Sequence, residues 1–409
     1  MGPVNGSRRS RIRRRLSFGA PRDAACTARP SILLAVGLLA AGLAACGGGS
    51  TAPTAPTGPE PGYHGPSGLV AYVANTYDQT SGFVQAVCLS DGSLGRRIPV
   101  GGQPFQIAIA PGGEWAYVAN SGWDGPRAQR TVTPINLKTQ RAGPPIEAGL
   151  GPMGIAITPD GSTAYVADMG SFLNGQTSTM VDADTVTPID LADRRPMPAI
   201  PVGPGVGAVS ITPDGKEALV AVDGTDSHPL SYIETLDLAT GRLSAPIYVG
   251  AAPMSIAITP DGSKALVTDT GFRPIGHTVT PIDLATGAVG KDIPVGNAPI
   301  DIVTTPDGRT AYVADTSTAQ ATSFASTGVV STIDVATDTA GRAISVPGVP
   351  QALAMTPDGT TVYEVGLEGG NRSALAPIDV ATGKVGPAIR FHANLGAVTI
   401  APAPAGQCR

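Results

Sequence analysis

Few residues in this chain are suited to chemistry. Of its four histidines, His228, His277 and His392 fall in segments that separate short β-rich runs. None of them is spaced with another histidine, a glutamate or a cysteine pair as zinc ligands are, so the sequence predicts no metal site. It also lacks a Gly-x-Ser-x-Gly turn, a nucleophile beside a base and a glycine-rich phosphate loop. These absences favour a binding protein without a cofactor over an enzyme.

Asparagine or aspartate recurs at one position, directly after an apolar run such as Ala-Tyr-Val-Ala. The five occurrences are Asn75, Asn120, Asp168, Asp269 and Asp315. A ring of carboxylates can bind calcium. The same recurrence arises when each side chain forms hydrogen bonds within its own turn, and we favour that interpretation.

These positions belong to a repeat that organises most of the chain. A string such as ITPDGSTAYVAD, at residues 157–168, is followed by one such as VTPIDL and then by a variant of Ile-Pro-Val-Gly. One tyrosine or leucine per unit marks seven units, at Tyr72, Tyr117, Tyr165, Leu219, Leu266, Tyr312 and Tyr363. These residues lie 45 to 54 positions apart, and a complete unit holds four β-rich runs. The pattern predicts the four-stranded blades of a β-propeller.

Turn residues support these strand boundaries. Pro-Asp-Gly between the first two runs predicts a tight hairpin, because proline fixes φ and glycine accepts a positive φ. Proline also occurs within the third run, where its missing N–H removes a ladder hydrogen bond. We therefore predict a β-bulge at Pro134, Pro188, Pro281 and Pro377.

The two ends of the repeat region predict a closed ring. The first unit begins at Leu69 without an innermost run, and the chain ends with the unpaired run Ala397–Pro402. That run can supply the missing strand, giving an all-β, seven-bladed β-propeller closed by its C-terminal strand. Cys88 replaces the aspartate of the VTPIDL string, and Cys408 follows the closing run. We expect a disulfide between them in an oxidising compartment, with two free thiols as the alternative.

The first 45 residues differ from the rest in composition. Eight arginines precede an apolar run at residues 32–45, which is too short to span a membrane as a mature helix. The run ends Leu-Ala-Ala-Cys-Gly, which resembles the lipobox of bacterial lipoproteins and implies that Cys46 is lipidated. We expect residues 1–45 to be a signal peptide, 46–67 a tether rich in Gly, Ser, Thr and Pro, and 68–409 the propeller.

Charge and location limit the partners. The whole chain carries a formal charge of −5, and removal of the arginine-rich segment makes it more acidic. An acidic surface repels phosphate backbones, so nucleic acid is excluded as an expected partner. We expect a monomer on the extracytoplasmic side of the cell membrane, held there by its lipid anchor. Its partner would be a cell-envelope protein or a small ligand.

The repeat motifs resemble a known family. AYVAN at 71–75 and 116–120, AYVAD at 164–168 and 311–315, and VTPIDLATG at 279–287 resemble the YVTN-type repeats of bacterial surface β-propellers. The resemblance covers roughly residues 68–402 and implies the fold, but no activity. Related seven-bladed propellers include lactonase-like enzymes and subunits of redox enzymes.

The candidate site lies where the repeat varies. Most of the variation in length falls between the second and third runs, on the face where the central channel opens. The longest connections are 170–184, which includes Phe172, and 316–328. Variable loops on a rigid scaffold are typical of recognition, although neutral loop growth gives the same pattern. Five residues that open the innermost strands should rim the channel, namely Gln106, Met153, Met254, Asp301 and Gln351. The candidate ligand contacts are Gln106, Asp301, Gln351, Phe172, His228 and His277.

Three hypotheses follow from the sequence. The first is a membrane-tethered, non-enzymatic binding or protein-interaction module. The second is a lactonase-like hydrolase acting on a small substrate at the channel mouth, which would need carboxylates or histidines converging there. The third is an accessory subunit of a redox complex, for which the chain contains neither haem-attachment nor metal-ligand motifs.

Overall fold

The computed structural model describes residues 57–76, 82–122, 129–170, 184–224, 230–271, 275–317 and 328–408. Within these ranges the regular elements are β-strands, and they form seven sheets. The sheets are the blades of an all-β, seven-bladed β-propeller, which confirms the fold expected from the sequence. The described part of the chain has no helix of the length and apolar character needed to cross a membrane.

Each blade is an antiparallel sheet whose innermost strand faces the central channel. The innermost strands of blades 1 to 7 are Ala397–Pro402, Pro104–Ile109, Pro152–Ile157, Val206–Ile211, Pro253–Ile258, Asn297–Thr304 and Val349–Met355. The second strands are Leu69–Ala74, Trp115–Asn120, Thr163–Asp168, Glu217–Val222, Lys264–Asp269, Thr310–Ser317 and Thr361–Leu367. The third strands are Phe83–Cys88, Thr131–Asn136, Thr185–Asp190, Tyr232–Asp237, Thr278–Asp283, Gly328–Asp334 and Ser373–Asp379.

The outer strands are less regular. Blades 1, 5, 6 and 7 have the single outer strands Leu94–Pro99, Ile293–Pro294, Thr339–Val346 and Ile389–Phe391. In blades 2, 3 and 4 the outer strand is split into Arg141–Ala142 with Ile146–Glu147, Arg195–Pro196 with Ile200–Pro201, and Arg242–Leu243 with Ile247–Tyr248. Blade 7 is extended by the short strand Gly58–Pro59.

The hydrophobic core lies between neighbouring blades. The second strands carry small and branched apolar residues on both faces, because each sheet packs against a blade on either side. Tyr72, Tyr312 and Tyr363 are among the largest fully buried side chains. Tyr72 packs with Ile107 and Val118 of the next blade, so the repeated apolar strings join the blades into one ring.

The irregularity predicted at the third-strand prolines lies elsewhere. All four prolines, Pro134, Pro188, Pro281 and Pro377, pair with the second strand in unbroken register, so the prediction of a bulge within the third strand was wrong. The nitrogen of each proline faces the outer strand instead. That strand is interrupted there, and only the proline carbonyl is bonded, as in the 2.7 Å hydrogen bond from Gly143 N to Pro134 O. The missing N–H donor is therefore accommodated by a break in the outer strand rather than by a bulge in the third strand.

The C-terminal strand closes the ring as predicted. Ala397–Pro402 pairs with Leu69–Ala74 along its whole length, so blade 1 is built from both ends of the repeat region. Cys88 and Cys408 form a disulfide in the same blade. Strand pairing and a covalent bond thus hold the two ends together.

Residues 57–67, which the sequence assigns to the tether, contact blades 7 and 1. Gly58–Pro59 pairs with Ile389–Phe391. The Tyr63 ring is buried, and its hydroxyl lies 3.2 Å from that of Tyr363. Glu60 pairs with Arg390. Burial of a large aromatic ring is strongly favourable, and it requires the chain around the ring to be held in place. Burial of Tyr63 therefore explains why this part of the expected tether lies on the propeller.

Candidate functional site

A cavity of about 360 Å³ occupies the channel, and all seven innermost strands contribute to its wall. The volume lies within the range of about 300–1,000 Å³ that is typical of small-molecule pockets. The five residues expected to rim the channel, Gln106, Met153, Met254, Asp301 and Gln351, all line this cavity. The repeat spacing therefore placed the channel residues correctly.

Backbone irregularities occur in the channel wall near the start of the innermost strands. In blades 2 to 7 the register between the innermost and second strands shifts close to the start of the innermost strand. The shift in blade 6 lies between Pro299 and Asp301, and the shift in blade 2 lies between Pro104 and Gln106. Such bulges redirect side chains and are common beside functional sites. These bulges were not predicted from the sequence.

Asp301 is held in the wall by donors from three blades. Its Oδ1 accepts hydrogen bonds from Ser255 Oγ at 3.0 Å and from the Ile302 amide at 2.9 Å. Its Oδ2 accepts one from the Leu353 amide at 2.8 Å. Burial raises the pKa of Asp301 to about 6, although these hydrogen bonds act against the rise. The side chain remains partly exposed to the channel.

The two glutamines of the channel have different roles. Gln106 is exposed, and its Oε1 accepts a 2.6 Å hydrogen bond from the Ile155 amide of the next blade. Gln351 is buried, and its Nε2 donates to the Pro350 carbonyl at 2.9 Å. Gln106 and Asp301 therefore link neighbouring blades along the channel, while Gln351 stabilises the backbone of its own strand.

The recurrent Asn and Asp side chains at the ends of the second strands lie inside the blades and are absent from the channel wall. Asp168 Oδ2 accepts hydrogen bonds from Thr187 Oγ1 at 2.5 Å and Thr185 Oγ1 at 3.3 Å, across to the third strand. Asp269 makes the equivalent pair with Thr278 and Thr280. The bonds are cross-strand rather than confined to one turn. Within the described residues no group of three potential ligands is placed to hold a metal ion.

Burial changes the acidity of these carboxyl groups. Desolvation raises the pKa of Asp168 and Asp315 to about 7 and that of Asp269 to about 6. The hydrogen bonds that each carboxyl group accepts act against the rise in its pKa but do not cancel it. A neutral carboxylic acid avoids most of the desolvation cost, so these side chains stay protonated to a higher pH than usual.

Blade 7 contains an acidic residue that the sequence analysis missed. Gly366 stands at the position where the other repeats have aspartate, such as Asp168. Glu364 lies two residues before it, on the same face of the second strand. A Cβ on Gly366 would lie 2.6 Å from Glu364 Oε1, so the glutamate fills the space that the aspartate has in other blades. Glu364 is fully buried, and burial raises its pKa well above the usual range. The presence of glycine at the aspartate position of this repeat was the sequence signal that could have revealed Glu364.

The remaining candidates are placed as follows. His277 and His392 are exposed, and neither lines the channel cavity. Phe172, His228 and Cys46 lie outside the described residues, as do most of the connections 170–184 and 316–328. Their predicted roles remain predictions.

The second strands all run in the same direction, which gives the propeller two distinct faces. We call the face that bears the connections between second and third strands the loop face, and its described members include Thr76, His277 and Arg372. The opposite face bears the hairpins between innermost and second strands, and we call it the hairpin face. Thr76 lines the cavity, so the channel opens within the loop face.

The likeness to solved structures confirms the fold. Hydrazine synthase of Kuenenia stuttgartiensis is 20% identical, with 83% of this chain and 97% of that chain covered at a TM-score of 0.59. A functionally unknown protein from Desulfotomaculum acetoxidans is 17% identical, covering 82% and 99% at 0.62. A candidate 6-phosphogluconolactonase from Bacteroides fragilis is 18% identical, covering 81% and 98% at 0.58. No protein-family model and no curated protein matches the chain. These identities show the propeller fold alone.

Proposed function

We propose that this protein is a non-enzymatic binding module, tethered to the extracytoplasmic side of the cell membrane through Cys46. Its loop face would contact a cell-envelope protein or a small ligand. One observation carries the proposal: the channel mouth lies on the face to which the repeat also confines most of its variation in length. Loops that vary on a rigid ring are the usual site of recognition.

The hairpin face supports this assignment by contrast. Five of its hairpins share the sequence Thr-Pro-Asp-Gly, and in each the threonine hydroxyl donates to the aspartate carboxylate. Such uniformity is typical of a structural surface, because each hairpin is already satisfied by its own hydrogen bonds. Recognition is then left to the other face.

The anchoring half of the proposal has a direct test. Replacement of Cys46 by Ala removes the only thiol at the expected lipidation position. We expect the variant to move from the membrane fraction to the soluble fraction and to lose incorporation of labelled palmitate. A Cys46→Ala protein that stays membrane-bound would contradict the lipid anchor.

The binding half is tested by capture from cell-envelope extract with the full chain. A variant with shortened 170–184 and 316–328 connections is compared with the unmodified protein, and an Asp261→Asn variant on the hairpin face serves as control. We expect a partner retained by the unmodified and control proteins and lost by the shortened one. Equal retention by all three would contradict recognition by these loops.

The alternative is a lactonase-like hydrolase. Two observations favour it, namely the Asp301 carboxylate in the channel and the likeness to the Bacteroides fragilis protein. Against it, Asp301 already accepts three hydrogen bonds from the wall. Release of acid from a panel of lactones, abolished in Asp301→Asn, would replace the binding proposal with this one.

A further inference from the structure

The channel cavity carries an uncompensated negative charge. Asp301 is the one ionisable side chain among the described residues that line it. The other polar side chains of the wall belong to Thr76, Gln106, Ser255, Gln351 and Thr399. An ionised carboxylate in such a setting is stabilised most by an incoming positive charge, since neutral donors satisfy its hydrogen bonds but leave its charge unbalanced.

The carboxylate of Asp301 is fixed in position and still has an acceptor position free. Its three wall donors are Ser255 Oγ, the Ile302 amide and the Leu353 amide. A carboxylate accepts about four hydrogen bonds, and Oδ2 accepts only one from the described residues. The remaining position is therefore available to a donor that enters the channel.

The other residues of the wall favour a ligand in which the donor group is attached to an apolar portion. Phe105, Met153, Met254 and Ile300 line the cavity on four of the blades. Gly154, Gly207 and Gly396 also line the cavity and add no side chain to its wall. Aromatic faces attract cations, and thioethers adapt to irregular apolar groups.

We propose that the channel binds a small organic ammonium ion, whose charged nitrogen pairs with Asp301 and whose apolar portion packs against Phe105, Met153 and Met254. Ser255 acts as a positioning residue, because its hydroxyl fixes the orientation of the carboxylate. This site is separate from the loop contacts proposed above and does not depend on them.

Binding is tested by calorimetry and saturation-transfer NMR on the full chain, with methylammonium, phenethylammonium and tetramethylammonium up to millimolar concentrations. The neutral alcohol 2-phenylethanol is the matched control ligand. We expect phenethylammonium to bind saturably and at least about tenfold more tightly than the alcohol. Failure of all three cations to bind, or equal affinity for amine and alcohol, would overturn the proposal.

Two variants separate the carboxylate from the shape of the channel. Asp301→Asn removes the charge with little change in size and should weaken phenethylammonium binding at least about tenfold. Gly207→Leu should block the channel while Asp301 stays intact, and Asp261→Asn on the hairpin face should bind like the unmodified protein. A cation affinity unchanged in both Asp301→Asn and Gly207→Leu contradicts the site. The loop-shortened variant should keep full affinity, which distinguishes this site from the proposed partner contact.

The affinity should also depend on pH. A cation binds the ionised form of Asp301, so affinity should be constant above about pH 7 and fall below about pH 6. The other titratable groups on the strands packed against the Asp301 strand are Lys264, Asp269, Asp283, Tyr312 and Asp315. The Asp301→Asn variant should retain only a weak and pH-independent affinity, which assigns the dependence to Asp301. The same pH dependence in both proteins would contradict that assignment.

Discussion

The hairpin face and the interior beneath the loop face contain the same side chain in opposite environments. Asp261, in a hairpin, is exposed and accepts hydrogen bonds from Thr259 and Ser263, which lower its pKa to about 2. Asp168, at the other end of a second strand, is buried and its pKa is raised to about 7. Position in the blade decides the charge of each aspartate.

The disulfide on the hairpin side of blade 1 should have the largest effect on stability. We expect replacement of both Cys88 and Cys408 by Ser to lower the free energy of unfolding by about 2–5 kcal/mol, since the bond closes nearly the whole ring. Denaturant unfolding with and without a reductant measures this. Unchanged stability would mean that pairing of Ala397–Pro402 with Leu69–Ala74 closes the ring unaided.

The buried carboxyl groups predict an unusual pH dependence. An acid with a folded pKa above its unfolded value stabilises the fold at low pH, and that contribution is lost as the pH rises through the folded pKa. Asp168, Asp269 and Asp315 should therefore make the free energy of unfolding fall between about pH 4 and about pH 7. Urea unfolding across that range tests the direction. Stability that rises over this interval would contradict the assigned protonation.

A single substitution sharpens the same comparison, and blade 2 supplies its natural control. There Asn120 Nδ2 donates to Thr131 Oγ1 at 3.1 Å and Thr133 Oγ1 at 2.8 Å, as a neutral counterpart of Asp168. We expect Asp168→Asn to stabilise the fold by about 2 kcal/mol at pH 8, since it removes a charge from a buried site. Near pH 4 the effect should disappear. A destabilisation of equal size at both pH values would argue that the carboxyl group is needed for packing.

Substitutions in the hairpins should change the stability least. Their pH dependence should be opposite to that of the buried carboxyl groups. Gly161 has a φ of 72°, so Gly161→Ala should destabilise by about 1 kcal/mol through backbone strain. Asp261→Asn should reduce stability slightly above pH 4 and not below pH 2, because the lowered pKa of Asp261 adds stability only when it is ionised. Thermal unfolding of both variants at these pH values measures the effects. A larger loss in Asp261→Asn than in Gly161→Ala would reverse the order.

The sequence predicted features that depend on repetition. Blade number, ring closure, the Cys88–Cys408 pairing and the channel-lining positions all follow from constant spacing within the repeat. It did not predict the bulges of the innermost strands, because these depend on how seven strands converge on a narrow channel. It also missed Glu364, because the carboxylate of blade 7 comes from two residues before the position at which the repeat places aspartate.

The proposal that recognition takes place on the loop face is tested most directly in intact cells. A photo-crosslinking amino acid is placed at His277, exposed on the loop face, and separately at Lys384, exposed on the hairpin face. We expect a discrete crosslinked species from position 277 and none from position 384. A species formed only from position 384 would contradict the assignment of the faces and show that the uniform hairpins are the binding surface.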